Sequence, residues 1–229
     1  MYLLFMTHTE YTILKQELQQ LVKQTTLLNW GKIQNDKTDA QLDIFKINSY
    51  IELENAVANF NDKDKNYFVK RWLVWKCSKC DEYLFCLNKN VLLNPQHKDQ
   101  TYDIEFNNDS NLRFDIKGTV IPKQFRNDVE KVIKNPKFLI DFFYEKQSKG
   151  VRHSFQNRLF IVHHSFKKQE REIYLRCHFD FKEEVYKNYA NAIGTGTSFI
   201  NYSNAKADII FIIENSDGSF EGKIASQEI

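Results

Sequence analysis

Apolar and polar residues alternate over Tyr102–Phe106 and again over Leu112–Ile121. Side chains on a strand point by turns to opposite faces, so a period of two predicts two short strands. Between them Asn107-Asn108-Asp109-Ser110-Asn111 is rich in side chains that cap their own backbone, which predicts a turn. On the second strand Leu112, Phe114, Ile116 and Val120 share one face, and Arg113, Asp115, Lys117 and Thr119 the other. Asp115 and Lys117 are therefore neighbours on a polar face, to which a paired strand can bring Asp103. Uninterrupted apolar centres at 157–165 and 207–214 predict buried strands, and Val91–Leu93 a short one.

Helical spacing surrounds these strands. Residues 10–28 place Ile13, Leu14, Leu18, Leu21 and Val22 near one face. Residues 67–87 place Val69, Leu73, Cys77 or Cys80, Leu84 and Leu87 on a buried stripe, with Trp72 and Trp75 as further core. On the same helix Lys70, Arg71, Ser78, Lys79, Asp81 and Glu82 form the polar side. Phe138, Leu139, Phe142 and Phe143 mark a helix over 137–146 that can cover a sheet. Shorter helices are predicted over 124–134, 181–193 and 49–59, the last opened by a Ser49-x-x-Glu52 capping box. Residues 172–177 read as a strand, and the chain from Ser216 onward as a tail. The result is an α/β class, with a central mixed sheet flanked by helices. The charged run Asn61–Asn66 divides it into a small helical N-terminal segment, 1–62, and an α/β core, 63–229.

Composition changes this picture little. A chain of 229 residues suits one domain with a small appendage and can bury a sizeable core. No apolar run approaches the roughly 18 residues of a membrane span, and the apolar start lacks the basic flank of a signal sequence. The expectation is a cytoplasmic protein without a membrane partner. The four cysteines include Cys77-x-x-Cys80, but this pair falls on the helical stripe. Buried free thiols are expected there, and a zinc-stabilised interaction module is the alternative. Gly194-Thr195-Gly196-Thr197-Ser198 lacks the lysine and the strand-before-helix setting of a phosphate loop and reads as a plain loop.

Net charge is only +2, so the whole molecule does not announce a nucleic-acid binder. Charge is uneven, however. Residues 145–176 carry eight Lys and Arg against three Glu, a net +5. That suits phosphate neutralisation, and a solvated surface is the plain alternative. Acids and a lysine on the polar side of otherwise apolar strands suggest a divalent-metal site.

Asp103, followed by Asp115-Ile116-Lys117, resembles the signature of the PD-(D/E)XK nuclease superfamily, which has the restriction-endonuclease-like fold. The order of helix, acid strand, turn, D-x-K strand, helix and apolar strand from about Asn66 to Ser165 agrees with it. Tyr102 stands where that pattern often has proline. The resemblance implies a glutamate on the preceding helix, and Glu82 is the best match, with Asp81 as rival. It also implies hydrolysis of phosphodiester bonds, in DNA by family habit, with Mg²⁺ or Mn²⁺ held by Asp103, Asp115 and Glu82. Lys117 would act on the attacking water. A polar or basic helper beyond the D-x-K strand makes Gln156 and Arg152 candidates, and Lys149 and Arg158 join them as nucleic-acid contacts. A homodimer is the oligomer left open. The rival reading is a catalytically silent nucleic-acid-binding or assembly protein on the same fold.

Overall fold

The computed structural model describes residues 6–24, 35–96, 99, 101–147 and 156–227. Its eight α-helices are α1 (His8–Gln24), α2 (Asp36–Asp39), α3 (Tyr50–Val57), α4 (Asp62–Cys86), α5 (Val129–Lys134), α6 (Lys137–Gln147), α7 (Glu172–Leu175) and α8 (Phe179–Gly194). The strands are β1 (Val91–Leu93), β2 (Ile104–Phe106), β3 (Arg113–Val120), β4 (Arg158–Ser165), β5 (Ile200–Tyr202), β6 (Ala205–Glu214) and β7 (Phe220–Ile224). They form one mixed sheet in the order β1-β2-β3-β4-β6-β5, with β7 also on β6. β1, β2 and β3 are antiparallel neighbours, whereas β3, β4 and β6 run parallel.

Parallel strands need crossovers, and the helices of those crossovers cover both faces. β4 is accordingly buried at all eight positions. Its alternate residues enter different cores. Leu159 and Ile161 pack with α1, α4, α7 and α8, while Phe160 and Val162 pack with α5 and α6. Residues of α1 and α3 share the first of these cores with α4, so the N-terminal helices are built on to the sheet's own core.

The charged run at Asn61 opens α4. Asn61 caps α4, its side chain accepting the Asp64 N–H at 3.1 Å, and Asp62 and Asp64 complement the positive end of the helix. The resulting helix of 25 residues is about 38 Å long at 1.5 Å per residue. Ser49 caps α3 as predicted, but the Glu52 carboxylate returns to the N–H of Asn48 rather than of Ser49. Trp72 is fully buried and donates to the Ile47 carbonyl at 3.0 Å.

Three expectations are corrected. Residues 172–175 are a helix, because Glu172 and Leu175 turn inward with Ile173 against β4, which a two-residue period would forbid. The stretch after Ser216 is no tail, since Phe220–Ile224 pairs antiparallel with β6 and burial of Ile224 holds it there. On α4, Asp81 and Glu82 are buried while Leu87, just past its end, is 48% exposed, so the polar side was drawn in the wrong place. No described helix is long and apolar enough to cross a membrane.

Candidate active site

The predicted residues converge where β2 parts from β3. β2 is shorter than its alternation suggests, beginning at Ile104. Asp103 still donates its N–H to Phe114 O at 2.8 Å, but its own carboxylate accepts the N–H of Ile116 at 2.7 Å. A side-chain oxygen thus replaces the next backbone acceptor of the ladder, and the strand pairing stops there. On β3's other side, the Asp115 N–H donates to Asn157 O at 3.0 Å. Asn157 is also bonded to Asn111 O, Arg113 O and the Lys206 N–H, so it ties the starts of β3, β4 and β6 together. A lone Asn before a strand gave no signal of that role.

Asp115 is 2% exposed. Lys117 donates to its Oδ1. Its Oδ2 is buried without a hydrogen-bond donor among the described residues, and Arg158 Nε lies 3.8 Å away. Glu82 approaches from α4, held by Lys79 Nζ at 2.7 and 2.9 Å to its two oxygens. A spacing of three on a helix places Lys79 and Glu82 side by side.

The charges of these groups bear on one another. Asp103 is pushed up to about 7, chiefly by burial and then by the negative charges of Glu82 and Asp115, with Lys117 opposing. Glu82 is raised as well, by burial first, against the pull of Lys79. The rival Asp81 turns away. It pairs with Lys182 of α8 and accepts the Tyr186 hydroxyl at 3.0 Å.

Of the candidate nucleic-acid contacts, Arg158 and Gln156 fall among the described residues. Lys149 and Arg152 lie outside the described residues. Arg158 is 4% exposed, its guanidinium 4.9 Å from the Tyr144 ring and its Nε beside Asp115, so it is an interior group of the site. Gln156 lends its carbonyl to the Tyr144 hydroxyl at 2.7 Å. Arg171 is bound to Glu214, and Arg176 is buried, which removes further charge from the +5 segment's surface.

The cysteines are free, with Cys77, Cys80 and Cys177 buried. Cys77 and Cys177 sulfurs stand 3.6 Å apart. His163 and His164 meet different partners, Thr119 O and Glu172 Oε1, as opposite orientations on a strand require.

Whether the acids suit a divalent ion can be judged from their chemistry. Carboxylates are hard oxygen donors, burial and then the neighbouring acids raise the proton affinity of Asp103, and Asp115 Oδ2 has no donor among the described residues. Among the described residues no group of three or more His, Cys, Asp or Glu is drawn together enough to hold a metal ion. Mg²⁺ commonly uses only one or two carboxylates and keeps several waters, so the donor set fits in kind. Comparison with family models, curated proteins and solved structures finds no match to this chain.

Proposed function

We propose that this chain is a metal-dependent nuclease that hydrolyses phosphodiester bonds, with DNA as the favoured substrate. One observation carries the reading. Asp103, fixed by the Ile116 N–H, is in electrostatic contact with Asp115, Glu82 and Lys117 at the parting of two strands. The order of α4, β2, β3, α6 and β4 is also the one that the nuclease resemblance implies.

Asp103 and Asp115 would hold Mg²⁺ or Mn²⁺, with Glu82 beside them. Such an ion supplies charge neutralisation at the scissile phosphate and a bound water of lowered pKa. Lys117, paired with Asp115, would orient that water or meet charge developing on the phosphate oxygens. Arg158 Nε stands 3.8 Å from the other oxygen of Asp115, and its guanidinium lies over the Tyr144 ring.

The second reading, a silent nucleic-acid-binding or assembly protein on the same fold, is favoured by the Lys117–Asp115 ion pair, which neutralises two of the proposed catalytic groups. Cleavage of a panel of DNA and RNA forms with Mg²⁺ and Mn²⁺ separates the two. Under the nuclease reading, Asp115→Asn and Lys117→Ala each lower the rate on the order of 10³-fold with the fold intact. Wild-type inactivity on every substrate would leave the silent reading standing. Full activity of the double variant would move the site elsewhere.

A further inference from the structure

A cleft of about 600 Å³ opens beside the site, between α1, α4 and the segment joining β1 to β2. Glu82 and Asp103 stand in its wall, so whatever fills it adjoins the proposed scissile phosphate. Its volume suits one molecule of drug or nucleotide size and does not suit a duplex.

The lining tells which part of a nucleotide would enter. Among the described lining residues, Glu10, Glu17, Glu82, Asp99 and Asp103 stand with the cations Lys76 and Lys79. Lys76 is further engaged, its ammonium 4.3 Å from the Trp75 ring. A phosphate would meet a net negative wall. A nucleobase is neutral, and its amino and imino donors can use carboxylate lone pairs, of which each acid has about four sites. Tyr83 adds half-buried aromatic wall, Tyr102 borders the cleft at 9% exposure, and both rings are braced. Tyr83 stacks on Tyr11 at 4.4 Å, and the Arg113 guanidinium lies 4.7 Å from Tyr102. Braced aromatic surface is what unpaired bases stack on, irrespective of sequence.

We infer that the cleft receives an unpaired nucleobase next to the scissile phosphate, so that the substrate is a single strand, a flap or a frayed end rather than the interior of a duplex. The inference rests on the nuclease reading for the position of that phosphate. The base enters, and the backbone stays outside near Lys79 and Lys117. Duplex DNA would have to extrude a base to fit, at the cost of its stacking and pairing.

The test uses the full chain with Ca²⁺ in place of Mg²⁺, and a fluorescein-labelled oligonucleotide as a single strand or as a blunt duplex. The single strand should bind about tenfold more tightly than the duplex, a difference of about 1.4 kcal/mol. Ile13 and Leu87 line the cleft and are 54% and 48% exposed, so tryptophan can be added at either without disturbing the core. Ile13→Trp and Leu87→Trp should each weaken single-strand binding about tenfold and leave duplex binding unchanged. Equal binding of the two forms, binding of neither, or tryptophan variants indistinguishable from wild type would overturn the inference. Cleavage is scored separately with Mg²⁺. Equal cutting of single strand and duplex interior would retain the nuclease and discard the cleft's role. Single-strand preference in binding with no cutting would discard the nuclease and retain the cleft's ligand.

Discussion

Asp81 and Glu82 are consecutive on α4, yet they belong to electrostatically opposite regions. Asp81 is 1% exposed and compensated, with Lys182 and Tyr186 on one oxygen. Lys182 in turn donates to Arg176 O at 3.0 Å, and Arg176 donates to Ser78 at 2.9 Å. Glu82 is 9% exposed and borders a region where acids face acids, at Asp103 and Asp115, with lysines only partly offsetting them. The first arrangement sets a buried acid against a lysine and a hydroxyl of another helix, with Asp81 Oδ2 left buried without a hydrogen-bond donor among the described residues. The second keeps several acids near one another at an opening, which costs stability.

The largest break in this contrast should come from Asp81→Ala. Removing one partner strands Lys182 in the interior, and unfolding in urea should show a loss of about 3–5 kcal/mol. Glu82→Gln should stay within about 1 kcal/mol of wild type. Equal losses at the two positions would mean that both acids are structural and would erase the distinction.

A smaller effect sharpens the compensated region. Gly118 on β3 lies under Arg176, where a Cβ would come within 1.7 Å of its Nη1. Gly118→Ala should therefore destabilise by about 1–3 kcal/mol through displacement of that side chain. Gly196 has no atom near a Cβ, so its cost in Gly196→Ala should come only from its φ of +94°.

The smallest effect lies in the crowded region and depends on pH. Asp103 is raised from 3.8 to about 7, so the folded chain holds this proton more tightly than the unfolded chain does. Stability contributed here therefore falls as pH rises from about 4 to about 7, then levels off. Asp103→Asn keeps an oxygen for the Ile116 N–H and removes the charge. It should flatten that slope and raise stability at pH 8 by on the order of 1 kcal/mol, measured by urea unfolding across pH. A slope unchanged by the substitution would show that Asp103 is not the titrating group.

Much of this arrangement was legible in the chain. Period-two alternation located β2 and β3, apolar runs located β4 and β6, and helical spacing located α4 and α6. Asp103, Asp115 and Lys117 fall on the polar face of the predicted strands and Glu82 on the polar side of the helix, and the nuclease resemblance made them one set of candidates. Local periodicity reports which way a side chain leaves the backbone. It does not report what stands opposite.

Tertiary packing decided the rest. Both Asp81 and Glu82 read as polar-face residues, and tertiary packing alone gave Asp81 a lysine of α8 and set Glu82 near Asp103, just before β2. Arg158 read as a surface cation, but parallel pairing of β4 with β3 put it opposite Asp115. Residues 220–224 read as a tail because a short strand at a sheet edge is stabilised by its partner, here β6, rather than by its own pattern. The chemistry of each residue was written in the sequence, whereas its charge environment is a sum over neighbours distant in the chain, and that sum exists only once the chain is folded.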